Sequence, residues 1–173
     1  MKYLIETKRL FLREISWADY DAIAEIIQND ETMYAYNGGL SDEETKEWLE
    51  KLFVRYKRDK HGLLAVVLKE NGKVIGQAGL STRYLDDKKI IELGYLFNKD
   101  YWKQGYAIEA VQALKEYGFN YFGFDEIYSL IRDTNIPSMN VAIRNGMVIR
   151  KRYLKQRPYG VVNYYAFSVK RTE

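Results

Sequence analysis

The residue types best suited to chemistry fall between Ile91 and Ala110, where an apolar strand-like run, Ile90 to Phe97, passes through a short loop into a helix that begins at Gly105. Small side chains at Gly105 and Ala107 let an anion approach the main chain. The first turn of a helix also offers N–H groups that no carbonyl of the helix can satisfy, with the positive end of the dipole behind them. A pyrophosphate fits such a place. A glycine that opens a helix is equally ordinary turn chemistry, so the segment alone marks a candidate anion site. It matches neither the Walker A pattern, lacking Gly-Lys-Ser/Thr, nor the dinucleotide fingerprint with its three spaced glycines, and nucleotide hydrolysis and NAD chemistry fall away.

Composition narrows the chemistry further. The chain has no cysteine, which excludes a disulfide framework, a thiolate nucleophile, an iron–sulfur cluster and a cysteine-ligated zinc. Its one histidine, His61, cannot build a multi-histidine site, and at a strand entrance before Gly62 it reads as a solvated loop residue. No metal is expected. Net charge is +3, unevenly distributed, because Thr134 to Thr172 contains lysines and arginines but no Asp or Glu. That surface reads as a solvated strand face that can also attract a phosphorylated ligand; nucleic acid is not the expected partner, although a ribosome contact is compatible with it. Lys2, Glu6, Lys8 and Arg9 interrupt the first twelve residues, so neither a signal peptide nor a membrane span is expected there, and a cytoplasmic location is.

The elements that must position the loop are legible from periodicity. A chain of 173 residues, 47% hydrophobic and 29% charged, reads as one domain over 1–173 that buries about 70% of its unfolded surface without staples. Arg9 to Arg13 reads as a first strand. Ser16, and Ser41 with Glu44, are capping signals before two amphipathic helices. Leu63–Leu68 and Val74–Leu80 flank Asn71-Gly72 and predict a tight hairpin; Ile90–Phe97 follows the polar Asp86 to Lys89 turn. A largely buried helix runs from Gly105 through Phe119, and Ile127–Ile131 is a strand. Asn135 to Asn145, with Pro137 in its first turn, is a short helix, and Val148–Leu154 and Val162–Val169 are the last strands. The final strand, rich in tyrosine, is a candidate pairing edge. No repeat or linker divides the chain.

Trp102-Lys103-Gln104-Gly105-Tyr106-Ala107, followed by Glu109-Ala110, resembles the acyl-CoA pyrophosphate loop of the GNAT N-acetyltransferase superfamily. Glu92-Leu93-Gly94-Tyr95 before the loop, Asn135, Ser138 and Asn145-Gly146-Met147 after it, and the opening Thr7 to Arg13 resemble the branch of RimJ/RimL-type ribosomal-protein N-terminal acetyltransferases. The likeness covers nearly the whole chain in the family's order. It implies a single GNAT-like α/β (α+β) domain, with a mixed, mostly antiparallel sheet of about seven strands flanked by about four helices. Acetyl-CoA would lie in the opening between the splayed parallel strands Ile90–Phe97 and Ile127–Ile131, and CoA would leave as product. By family position Tyr95, Leu96 and Phe97 would bond pantetheine through their backbone, Gln104, Gly105, Tyr106, Ala107 and Ile108 would cradle the pyrophosphate, Lys103 would meet a phosphate, and Asn135 and Ser138 would contact the arm or thiol end.

The resemblance also implies direct attack of an amine on the thioester, and the absence of cysteine removes the usual acyl-enzyme nucleophile. Glu92 corresponds to a carboxylate often used as general base, here through a water. Backbone N–H near Tyr95 or Leu96 would meet the developing oxyanion. Several relatives place a tyrosine acid where this chain has Ala142, which leaves Ser138 or a tyrosine such as Tyr164 to protonate the thiolate. Met33 to Gly39, with Tyr34, Tyr36 and Asn37, falls where the family builds its acceptor wall. The acceptor would be a protein N-terminal α-amino group or a small amine. Asp42, Glu43, Glu44 and Glu47 lie nearby, but a helix N-terminus already accounts for them. A catalytically silent CoA-binding sensor or interaction module of the same fold is the alternative, and both monomer and homodimer are compatible with the sequence.

Overall fold

Two tight turns set the register of the sheet in the computed structural model, which describes residues 2–172. Gly72 (φ 73°) takes the left-handed conformation between β3 (Leu63–Leu68) and β4 (Val74–Leu85), and the Leu68 N–H donates to the Lys73 carbonyl across that turn. Asp86 and Asp87 are both left-handed (φ 47° and 61°), as a two-residue hairpin with strand-matching twist requires, and join β4 to β5 (Lys88–Phe97). The polar turn is therefore shorter than expected, with Lys88 and Lys89 already in the strand.

The remaining strands are β1 (Ile5–Glu6), β2 (Leu10–Glu14), β6 (Glu126–Arg132), β7 (Val148–Arg157) and β8 (Gly160–Lys170). Together they form one sheet of eight strands in the order β1-β2-β3-β4-β5-β6-β8-β7. Only β5 and β6 are parallel, paired at Glu92 and Tyr128. The two-residue β1 is the strand that periodicity cannot reveal, being too short to alternate. The expected pairing edge is corrected: β8 lies between β6 and β7, so the exposed edge of that half is β7.

Helices α1 (Tyr20–Ile27) and α2 (Asp42–Asp59) cover one face, where Ile23, Ile26, Leu49 and Leu52 pack on Ala65 and Val67. Helices α3 (Tyr106–Asn120) and α4 (Ile136–Arg144) cover the other, where Ala110, Val111, Leu114 and Ala142 pack on Leu93 and Phe97. Ser41 and Glu44 complete the reciprocal cap of α2, and Ser16 caps a 3-10 turn, Trp17–Asp19, that leads into α1. Arg13 grips Asp19 through two bonds of 2.7 and 2.8 Å in the interior. Burial alone would raise the Asp19 carboxyl, but the Arg13 guanidinium and the Ser16 N–H more than offset it and hold it below the usual range.

His61 is not the solvated loop residue expected. Its Nδ1 lies 2.9 Å from the Leu80 carbonyl, and its ring meets Phe122 and Phe124 edge-on, so it fastens the β3 entrance to the loop after α3.

Candidate active site

The expected cofactor cradle is built mainly from main chain. Gly105 caps α3 at φ 81° and offers no side-chain acceptor, so the first N–H groups of the helix, through Ile108, have no intrahelical carbonyl. Lys103 is also left-handed (φ 60°), and the two residues turn the chain sharply at the cavity wall. A β-carbon at Gly105 would stand 3.3 Å from the Arg9 guanidinium, and the left-handed backbone would strain any L side chain there. The loop is anchored from outside. Arg9 bonds Glu109 at 2.7 Å and the Gln104 carbonyl at 2.9 Å and lies over the Tyr106 ring, while Thr7 and the Arg9 N–H donate to the same Glu109 carboxylate. Burial raises the Glu109 carboxyl, and these donors more than reverse that, leaving it below its ordinary value.

Beyond the Glu92–Tyr128 pair, β5 and β6 separate, and the Ser129 hydroxyl donates to the Leu93 carbonyl at the root of the opening. Since Leu93 turns its carbonyl toward β6, strand alternation turns the N–H and carbonyl of Tyr95 the same way, into the opening. The Phe97 carbonyl accepts from the Trp102 indole at 2.8 Å, and the expected backbone contact of Leu96 is corrected, because its N–H and carbonyl face β4 and not the opening. The Tyr95 hydroxyl is buried with no hydrogen-bond partner; burial pushes it up to about 12, with the neighbouring Ser138 hydroxyl opposing the shift.

A cavity of about 760 Å³ follows the opening through the sheet. It brings together Tyr95, Leu96, Phe97, Lys103, Gly105, Tyr106, Ala107, Ile108, Asn135 and Ser138 with Glu92, Tyr34 and Tyr36. Two expected residues do not line it. Gln104 turns its side chain back to the Asp100 carbonyl, and Asn37 ends a 3-10 turn in a left-handed conformation. Asn135 accepts from the Ser138 N–H and from the Tyr34 hydroxyl at 2.6 Å, tying the segment after α1 to the start of α4 across the cavity. Ala142 is buried in the core, so no acid stands at that position.

At the other end, Arg83 donates to Glu92 at 2.9 Å, Arg157 donates to the Tyr164 hydroxyl, and Tyr153 stacks on Tyr164. Tyr36 reaches the same group: burial first, then the Glu92 charge, pushes its hydroxyl up to about 12. Local sequence reading does not find Arg83, Tyr153, Lys155 and Arg157, because β4 and the β7–β8 hairpin meet only across the sheet. Alternation on Tyr153, Lys155 and Arg157 is the one signal that they share a face. The acids at the start of α2 are elsewhere occupied: Asp42 holds Tyr20 and Gln28, Glu44 closes the cap, Glu47 pairs with Lys51, and none lines the cavity.

The splayed parallel pair, the glycine N-cap of α3 and the continuous cavity define an acyl-CoA transferase architecture, and similarity to known proteins agrees. Residues 9–148 match the family model for the acetyltransferase (GNAT) domain. The chain is 33% identical over 144 residues to the uncharacterized N-acetyltransferase YnaD of Bacillus subtilis, covering 83% of this chain and 81% of that one. It superposes on a GNAT-family acetyltransferase of Bacillus anthracis with a TM-score of 0.84 at 24% identity, covering 98% and 99%. On RimL, the ribosomal L7/L12 alpha-N-protein acetyltransferase in complex with coenzyme A, the TM-score is 0.81 at 15% identity, covering 98% of each chain. The chain belongs to the GNAT acetyltransferase family and is an acetyl-CoA-dependent N-acetyltransferase. Among the described residues no helix is long and apolar enough to cross a membrane.

Proposed function

We propose that the protein acetylates a primary amine, a protein N-terminal α-amino group or a small amine, by direct attack and within the single domain 1–173. The observation that carries this reading is the continuity of one cavity from the unsatisfied N–H groups of α3 to the half-buried Glu92 carboxylate. Acetyl-CoA supplies an acyl group activated by a thiol leaving group. The α3 first turn and Lys103 hold its phosphates, and Tyr95, with Asn135 and Ser138, fixes the arm.

Glu92 takes the proton of the attacking amine through a water. One of its oxygens accepts from Arg83, and the other accepts no bond among the described residues. The Tyr95 N–H, aimed into the opening, donates to the carbonyl oxygen as charge develops on it. The new C–N bond forms as the C–S bond breaks, and Ser138 donates the proton that leaves with the thiol, regaining one from solvent. The Tyr164 hydroxyl, which accepts from Arg157 at the other end of the cavity, is the second candidate donor.

The test is thiol release from acetyl-CoA by the purified protein with a panel of peptides and small amines. Amine-dependent release, with a one-to-one acetylated product by mass spectrometry, is the expected result. Tight acetyl-CoA binding with no release above the uncatalysed rate for every amine would instead assign a silent CoA-binding module.

A further inference from the structure

On the sheet face opposite α3, the cavity wall holds more positive charge than it answers. Arg83, Arg132, Lys155 and Arg157 line the cavity on this side, and Glu92 is the one carboxylate lining it among the described residues. Glu92 is engaged by Arg83. Arg157 donates to the Tyr164 hydroxyl, and to no carboxylate among the described residues, at 3.0 and 3.3 Å. The Nε of Arg132 is buried with no hydrogen-bond partner, and Lys155 makes no hydrogen bond or ion pair among the described residues. The next acid on this side, Asp86, is held by Lys151 outside the cavity, and Asp133, next to Arg132 in sequence, does not line it.

These cations share a face for a structural reason. Arg132 is opposite Tyr164 in the β6–β8 ladder, Tyr164 is opposite Tyr153 in the β8–β7 ladder, and Lys155 and Arg157 follow Tyr153 at intervals of two. The phosphate cradle stands apart, at the start of α3, which packs on the opposite face through Ala110 and Val111. Burial and repulsion from Arg157 lower the Lys155 ammonium against the attraction of Glu92, and burial followed by Arg83 lowers the nearby Arg55 against Asp59 and Glu92, as expected where cations outnumber the acids that face them. Lys155 stands exposed on this wall and Arg132 and Arg157 are half-buried, Arg132 lying over the Tyr159 ring; like charges gathered on one wall repel, and an anionic ligand would answer them.

We propose that this end of the cavity selects an acceptor amine that carries its own anionic group, a carboxylate or a phosphate, held by Arg132, Lys155 and Arg157 with the amine turned toward Glu92. The inference rests on the acetyl-transfer reading above and names the substrate class for it. The same positive wall disfavours a protonated amine and a diamine, and so favours the neutral nucleophile that attack requires.

The experiment compares four short amines at saturating acetyl-CoA: propylamine, ethylenediamine, 3-aminopropionate and aminoethyl phosphate. The expected result is a kcat/KM for at least one anionic amine about 10-fold above propylamine and about 100-fold above ethylenediamine, and the two anionic arms tell carboxylate from phosphate. Lys155→Glu should remove that advantage while the KM for acetyl-CoA changes less than about twofold, and Arg157→Gln should raise the anionic-acceptor KM in the same direction. Should none of the four turn over, calorimetric binding of each amine to the CoA-loaded protein gives the ranking instead. Equal or better use of propylamine or the diamine, or an anionic advantage untouched in both variants, overturns the proposal. Failure of acetyl-CoA itself to bind removes the transferase reading as well, whereas normal acetyl-CoA binding without an anionic preference removes this inference alone.

Discussion

The two ends of the cavity are made of different materials. The proposed donor end is a contiguous stretch, Asn98 to Ile108, that offers backbone N–H groups and a left-handed glycine, with side chains such as Arg9 and Glu109 bracing it from outside. The acceptor end is an assembly of side chains from β4, β5, β6, β7, β8 and the segment after α1, and its character is set by charge. A backbone cradle tolerates change in its side chains but not in its conformation. A side-chain pocket has the opposite tolerance, which lets one fold keep its donor and change its acceptor.

That contrast is open to attack at several points. The largest effect is expected for Gly105→Glu, which imposes an L side chain on a left-handed position and sets a negative charge against the pyrophosphate. Acetyl-CoA affinity should fall about 100-fold or more, with unchanged melting behaviour separating this from misfolding. Glu92→Gln should next lower kcat by about 100-fold and alter its pH dependence while leaving acetyl-CoA affinity as it is; calorimetry and initial rates on one preparation check both halves. Arg9→Ala should weaken acetyl-CoA about 10-fold with little change in the acceptor KM, because Arg9 braces the loop and lies outside the acceptor end.

Acid should loosen the donor end by the same route. The Glu109 carboxyl is held below its ordinary value, so its contribution is present above the ordinary carboxylate range and is lost as pH falls through the folded value. Acetyl-CoA affinity followed into acid should decline there, and the decline should flatten in Arg9→Ala. The smallest effect is expected for Tyr34→Phe. Loss of its bond to Asn135 should raise KM values by about threefold without touching chemistry at Glu92.

The same contrast explains what the sequence revealed. Capping at Ser41 and Glu44, the Asn71-Gly72 hairpin and the Gly105 turn are decided by residues within a few positions of one another, and each stands where the sequence placed it. Gln104 was legible as a loop residue but not in its orientation, which the Asp100 carbonyl and Arg9 decide. His61 was misread because Phe122 and Phe124, distant in sequence, supply its burial. The strand order at the β8–β7 end was hidden for a related reason: the α4 crossover carries the chain past the vacant position beside β6, and β8 then returns to fill it. Lys155 and Arg157 lie on the solvated strand face that the sequence predicts, β7 being exposed along most of its length, and the β8 return is what brings that face to the cavity that Glu92 also lines.

The most direct test of the central claim is a calorimetric titration of acetyl-CoA into the protein, with desulfo-CoA and ATP as controls. The account predicts one site of micromolar affinity, similar for acetyl-CoA and desulfo-CoA and at least about 10-fold weaker for ATP, because in the proposed mode the pantetheine arm would lie against Tyr95 in the opening as well as the phosphates against α3. Absence of binding, or ATP binding as tightly as acetyl-CoA, would contradict it.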